Sequence, residues 1–256
     1  MSLALDLTGK VALVTGGSRG IGAACVRLLT QAGASVLFSY QKSADAAERL
    51  AISCGPDRTV AVQSDLIGEG AEQMLVEEAV SRFGHLDILV VNHGVWPAHD
   101  APVDLLGEDQ WRSTMSINLD SAFLLVKAAA GYMKRTRRGG HIVMVSSTAG
   151  QRGEAFHTDY AATKGAIISM VKGLSTELAP HRIYINCVAP GWVATEMSAP
   201  VMADPATEKR IHASIPLGRI ARPEEVAGPV VFLCTPLAGF ITGEVLNING
   251  GAVLVG

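Results

Sequence analysis

The chain has 256 residues, 48% of them hydrophobic and 18% charged, with a mean hydropathy of +0.29, so it can bury a sizeable core and is not a disordered polymer. Lys plus Arg 21 against Asp plus Glu 24 leaves a net charge of −3, too balanced for a protein that lives on phosphate backbones; nucleic acid is not an expected partner. No linker or internal repeat divides the chain, so one domain over 1–256 is expected.

Short β-rich apolar runs alternate with helical patterns, which predicts a parallel sheet covered on both faces. In chain order the expected elements begin with a strand at Val11 to Thr15 and a helix from near Ile21, then a strand at Ser35 to Phe38 and a helix from Ala44. A strand at Thr59 to Gln63, a helix from Gly70, a strand at Ile88 to Val91 and a helix from Gln110 follow. The last part reads as a strand at His141 to Val145, a helix from Thr158, a strand at Ile183 to Val188, a helix from Pro223 and a strand at Glu244 to Ile248. The expected class is therefore α/β, a doubly wound parallel sheet of seven strands with helices on both faces. Two connections, Trp96 to Glu108 and Val193 to Ser214, are longer than ordinary ones. Ligands sit at the carboxyl ends of the strands in such sheets, so both are expected to wall a pocket, with a substrate loop around 193–214.

The uncharged stretch from Val226 to Gly243 is broken by Gly228, Pro229, Pro236 and Gly239, so it reads as a buried helix, a turn and a strand approach and not as a membrane span. Met1 to Lys10 has no basic region ahead of an apolar run, and a cytoplasmic protein is expected. Cys25, Cys54, Cys187 and Cys234 are scattered, with no Cys-x-x-Cys pair and no His spacing suited to zinc; they read as buried reduced thiols, and no metal site is expected.

The first strand runs directly into Thr15-Gly16-Gly17-Ser18-Arg19-Gly20-Ile21-Gly22. Gly16, Gly20 and Gly22 let the chain turn sharply, approach a diphosphate and pack the helix on the sheet, while the helix N-terminus offers free N–H groups to the anion. Ser18 also fits a Gly-x-Ser-x-Gly nucleophile elbow, but hydrolases of that kind place several strands before it, whereas here it follows the first. An acid for the adenosine ribose is expected about twenty residues on. That neighbourhood reads Phe38-Ser39-Tyr40-Gln41-Lys42-Ser43, with no carboxylate before Asp45. Its absence, with Arg19 in the turn and Lys42 nearby, favours a 2′-phosphate and so NADP over NAD.

Tyr160-Ala161-Ala162-Thr163-Lys164 opens a helical pattern, and the i, i+4 spacing puts phenol and ammonium on one face. A phenol titrates near ~10 in water, and the neighbouring cation is expected to lower that value so that Tyr160 can exchange a proton with a carbinol or carbonyl oxygen. Val143-Met144-Val145 leads to Ser146-Ser147 at a strand end just ahead of this helix. Together with the glycine turn, Asn92-His93-Gly94, Asn118 and Pro190-Gly191, this set resembles the short-chain dehydrogenase/reductase family over nearly the whole chain, down to the Ile-Thr-Gly and Asn-Gly-Gly endings between Gly239 and Gly251.

The resemblance implies a Rossmann fold and an oxidoreductase that interconverts a ketone and a secondary alcohol by hydride transfer. It implies that Ser147 stabilises the substrate oxygen, Tyr160 exchanges the proton, Lys164 grips the nicotinamide ribose and Asn118 holds a water that passes protons on. Ser18, Arg19, Ile21 and Ser39 would join the three glycines at the cofactor, Asp65 and Leu66 would meet the adenine, Asn92 and Gly94 would line the groove, and Pro190, Gly191, Val193 and Thr195 would enclose the nicotinamide. Trp96 and Trp192, just after two of these motifs, are expected to wall an apolar substrate pocket; Trp111 reads as core. His93 stands where the family usually has a small residue. It is expected to point outward to a backbone carbonyl; pointing inward, it would make cofactor binding pH-dependent near neutrality. His99, His157 and His212 read as surface or pocket-rim residues.

The turn is nearest in look to reductases of 3-oxoacyl groups on an acyl carrier protein; sugars, steroids and other alcohols use the same framework, and a regulator that binds NADP without turnover is the reading from another class. Lys134-Arg135-Thr136-Arg137-Arg138 is the dense basic run. It complements a helix C-terminus, and under the resemblance it would dock an acidic carrier protein. The apolar helices from Gln110 and Thr158 imply pairing between subunits, and the family likeness implies a homotetramer.

Overall fold

The structure is a computed structural model that describes residues 5–97 and 99–255. Its sheet has the order β3-β2-β1-β4-β5-β6-β7 and is parallel throughout. The strands are β1 Val11–Val14, β2 Ser35–Tyr40, β3 Thr59–Gln63, β4 Ile88–Val91, β5 Gly140–Val145, β6 Ile183–Pro190 and β7 Val245–Ile248. Both Val-Ala-Leu-Val in β1 and Ile-Leu-Val-Val in β4 are buried at every position, as strands covered on both faces require. Successive residues nonetheless serve different cores. Ala12 and Val14 join the cluster on one face and Leu13 the cluster on the other, because side chains alternate across a pleated strand.

The helices are α1 Gly20–Gln31, α2 Ala44–Cys54, α3 Ala71–Phe83, α4 Glu108–Met115, α5 Ser121–Thr136, α6 Thr148–Arg152, α7 Thr158–Leu178, α8 Ala199–Met202, α9 Pro205–Ser214 and α10 Pro223–Leu233. The segment α10, a 3-10 turn at Pro236–Ala238 and β7 follow one another as the sequence led us to expect, and among the described residues no helix is long and apolar enough to cross a membrane. Chain order reverses between β1 and β4, which are neighbours in the sheet. The crevice for a ligand therefore opens above their carboxyl ends, between the glycine turn after β1 and Asn92 after β4.

Three corrections concern structure. The connection 193–214 contains two helices: Asp204 accepts a hydrogen bond from the Thr207 N–H at 3.0 Å and Pro205 follows it, a start signal that starts α9. Trp111 is 37% exposed and stands on the outside of α4, because that helix packs on α7 through Thr114 and Gln110 instead: Thr114 Oγ1 and Gln110 Nε2 donate to the buried carboxylate of Asp159 at 2.8 and 3.2 Å. His157, expected at the surface or the pocket rim, is buried beneath the pocket-wall residue Trp96, ring centroids 4.5 Å apart, and so is not at the surface. Cys25, Cys187 and Cys234 are buried free thiols and Cys54 is half-buried; burial pushes the Cys25 and Cys187 thiols up to about 12.

Candidate active site

β1 leads into a turn whose Gly16 and Gly20 have φ of 62° and 52°, the left-handed region that favours glycine. A Cβ on Gly22 would collide with the Gly16 carbonyl, and one on Gly17 with the Phe38 ring. The side-chain amide of Asn92 donates to the carbonyls of Thr15 and Gly16, both at 3.0 Å, so β4 pins the turn directly. α1 begins with no side-chain cap on Arg19. Its first N–H groups are left for an anion in the cavity. At the end of β2, Ser39, Tyr40, Gln41, Lys42 and Ser43 line the same cavity as Arg19, and Asp45 lies away on α2. Among the described residues neither Arg19 nor Lys42 forms an ion pair. This cradle of glycines at an open helix N-terminus fits the diphosphate of a nicotinamide dinucleotide.

Ser147, Tyr160 and Lys164 meet at the carboxyl end of β5. Ser147 caps α6, its Oγ accepting from the Ala149 N–H at 3.1 Å. Two bonds set the height of α7 against β5: Lys164 Nζ donates to the Val145 carbonyl and Ser146 Oγ to the Lys164 carbonyl, both at 2.8 Å. Gly150 permits the close approach, since a Cβ there would meet the Lys164 backbone at 2.5 Å. The Lys164 Nζ lies 5.7 Å from the centre of the Tyr160 ring.

The electrostatics correct one expectation. Burial pushes the Tyr160 phenol up to about 12, with the Ser147 hydroxyl favouring the phenolate and Glu154 opposing it. Burial also brings Lys164 down to about 8. The physical reason is that desolvation of the phenol outweighs the neighbours that favour its charged form. At neutral pH Tyr160 therefore carries its proton and is poised to donate it.

His93 overturns a second expectation, because it turns inward. Its Nδ1 lies 2.8 Å from Thr15 Oγ1 and its Nε2 2.7 Å from Ser121 Oγ. Ser121 spends its proton on the Ile117 carbonyl at 2.8 Å, so it accepts from Nε2–H, and Nδ1 is left to accept from the Thr15 hydroxyl. Burial, aided by the Lys164 charge, pushes the imidazole down to about 3, so its charge does not change near neutrality. Because the unfolded chain takes up a proton at about 6.5 and the folded chain does not, stability present above that value is lost as pH falls toward 3. His93→Gln is expected to flatten this acid limb of a thermal melting profile between pH 6.5 and 4. An unchanged limb would show that the ring is not held neutral.

Asn118 sits in a π-helical turn, Ser116–Asp120, between α4 and α5, a local widening often found at functional sites. Its Oδ1 accepts from the Val95 N–H at 2.8 Å, and its Nδ2 donates to the Val95 carbonyl at 2.9 Å and to Thr163 Oγ1 at 3.4 Å. The side chain thus fastens the Asn92–Trp96 segment and ties it to α7.

Of the residues expected from the sequence, Gly22 and Asn118 stand behind the wall and the others line one cavity of about 420 Å3, including Ile21, Asp65, Leu66, Gly94, Pro190, Gly191, Val193 and Thr195. Trp96 and Trp192 face each other edge to face, centroids 6.1 Å apart. The family model described as enoyl-(acyl carrier protein) reductase matches residues 16–253. The chain belongs to the short-chain dehydrogenase/reductase family. It is 37% identical over 250 residues to an L-rhamnose 1-dehydrogenase (NAD(P)(+)) of Sphingomonas sp., covering 96% of each chain. It is 35% identical over 251 residues to a 3-oxoacyl-[acyl-carrier-protein] reductase of Synechocystis sp., covering 97% of this chain and 98% of that one. A solved short-chain dehydrogenase/reductase of Brucella melitensis, described as glucose/ribitol dehydrogenase, superposes with a TM-score of 0.91 at 32% identity over 99% of this chain and 100% of that one.

As a short-chain dehydrogenase/reductase the protein is an oxidoreductase. Sequence reading missed three charged residues of its cavity: Glu196, beside Thr195, and Arg152 and Glu154. The last two flank Gly153 at the end of α6, where no periodic signal marks a side chain as facing in. The basic run is displaced too. Lys134 to Arg138 end α5 just before β5 begins, whereas Ser147 follows the far end of β5, about 20 Å away at roughly 3.3 Å per residue. Lys134 pairs with Glu177 at 3.0 Å and Arg138 with Asp87 at 3.4 Å. The run therefore lies away from the mouth of the cavity.

Proposed function

We propose that this protein is an NADP(H)-dependent enzyme that interconverts a secondary alcohol and a ketone, with Asn118, Ser147, Tyr160 and Lys164 as its working residues. The observation that carries the reading is the convergence of Ser147, Tyr160 and Lys164 on a cavity whose other end holds Arg19 and Lys42 and no carboxylate at the end of β2. When bound, the nicotinamide gives or takes the hydride. In the direction of reduction, the Ser147 hydroxyl donates to the substrate carbonyl oxygen and stabilises its growing charge, and Tyr160 gives that oxygen its proton. Lys164, held by Val145, is placed to bind the nicotinamide ribose. Asn118 holds the floor of the site through Val95.

Two substrate readings fall within this reaction. The acyl-carrier reading rests on the look of the turn and on relatives named 3-oxoacyl-[acyl-carrier-protein] reductase. A sugar reading rests on relatives named for L-rhamnose and L-fucose and on two charged side chains in the pocket wall. We further infer a cytoplasmic homotetramer: Trp111 on α4 and Phe123 and Leu124 on α5 are exposed apolar side chains, and a surface of this kind suits a symmetric contact. The test is a panel of acyl, sugar and steroid carbonyls and alcohols with NADPH or NADP, followed at the nicotinamide absorbance. Turnover of at least one pair, faster with the phosphorylated cofactor, is expected. A protein that binds NADPH and turns over none of them would be a sensor.

A further inference from the structure

Glu154 is an ionisable side chain of the cavity that proton transfer leaves unused. It shares the cavity with Tyr160, Trp96 and Trp192, and the Trp96 indole and the His157 imidazole are among the groups that favour its charged form. Its own charge reaches Tyr160 and opposes the phenolate there, and the two side chains line one cavity. Burial is the largest influence on it and raises its pKa, so it has already lost part of its water.

Three classes of substrate can be weighed against this wall. An alkyl chain laid over the half-buried Glu154 would remove its remaining water and return no donor, a cost that such a contact does not recover. A cation would be attracted by the carboxylate and the indole faces, but Arg152 lines the same cavity and repels it. A molecule with hydroxyl groups on one side and C–H surface on the other satisfies every group present. Its hydroxyls donate to Glu154 and accept from Arg152, and its C–H face covers the two indoles.

Resting on the alcohol–carbonyl reading of this pocket, we propose that Glu154 is a specificity residue that accepts hydrogen bonds from the hydroxyl groups of a polyhydroxylated substrate, a sugar or a polyol, held against Trp96 and Trp192. The test compares the native protein with Glu154→Ala and Glu154→Gln. Oxidation with NADP is measured on aldoses and alditols and on cyclohexanol, which has one hydroxyl; reduction with NADPH is measured on acetoacetyl-coenzyme A. Binding of the same polyols is followed by tryptophan fluorescence. Glu154→Ala is expected to raise KM for the best polyol about tenfold or more relative to cyclohexanol, with kcat changed less than threefold, and Glu154→Gln to recover part of the loss because its carbonyl still accepts. NADPH affinity, unchanged in both variants, reports an intact fold. Turnover of acetoacetyl-coenzyme A or of an amino alcohol with no polyol oxidised, or an equal KM change on cyclohexanol, overturns the proposal. If nothing is turned over, the alcohol–carbonyl reading fails, and saturable polyol quenching that Glu154→Ala abolishes still supports the site, whereas no saturable quenching refutes it.

Discussion

Tyr160→Phe is expected to lower kcat by roughly 10²- to 10⁴-fold, the range that a positioned proton donor supplies, and to leave the NADPH dissociation constant within twofold. The change removes one hydroxyl and keeps the ring, so packing of α7 on α6 persists. Ser147 continues to cap α6 through Ala149, and Lys164 continues to hold Val145. What is lost is the proton that a buried phenol, pushed up to about 12, keeps at neutral pH. The cost to stability should be small, about 1 kcal/mol for one hydrogen bond. Steady-state kinetics beside a fluorescence titration of NADPH separates the two quantities. Retained kcat would move proton transfer to another group, and a matching loss of NADPH binding would mean that the hydroxyl shapes the cofactor site.

The second large effect concerns the choice of cofactor. Arg19→Ala is expected to weaken NADPH by roughly 10- to 100-fold, since a charge-assisted hydrogen bond contributes about 1.5–3 kcal/mol, and to change NADH less than threefold. Arg19 is exposed, caps no helix with its side chain and pairs with no carboxylate among the described residues. Removing it therefore leaves α1 intact. Lys42 lines the same end of the cavity, and Lys42→Ala should add to the loss. Dissociation constants for both coenzymes, measured at two salt concentrations, decide the matter: an equal loss on NADH and NADPH would place the guanidinium on the diphosphate, and no loss would leave it in solvent.

Much of the site was legible because its parts are local. The strands β3 and β4 have the expected limits at Thr59–Gln63 and Ile88–Val91: β4 is an unbroken apolar run covered on both faces, and β3, half-buried at the sheet edge, is a β-branched run ended by Gln63. Strand β2 runs on to Tyr40 and β6 to Pro190, because backbone pairing with β3 and β7 continues through Ser39, Tyr40, Ala189 and Pro190. Helix α6 escaped notice: five residues carry no period, and its start depends on how Ser147 turns.

What the amino-acid order decides alone follows from chain geometry within a few residues. A strand stepping into Gly16, Gly20 and Gly22 has one way to turn, and Tyr160 and Lys164, four apart on a helix, must share a face. The folded arrangement decides everything that depends on a distant neighbour or on lost water. It turns His93 between Thr15 and Ser121 and occupies Asn118 with Val95. It leaves Trp111 outside and lets burial outweigh the neighbours that favour the Tyr160 phenolate. Desolvation and cross-chain hydrogen bonds are properties of the space around a side chain, and that space is enclosed by residues far away along the chain.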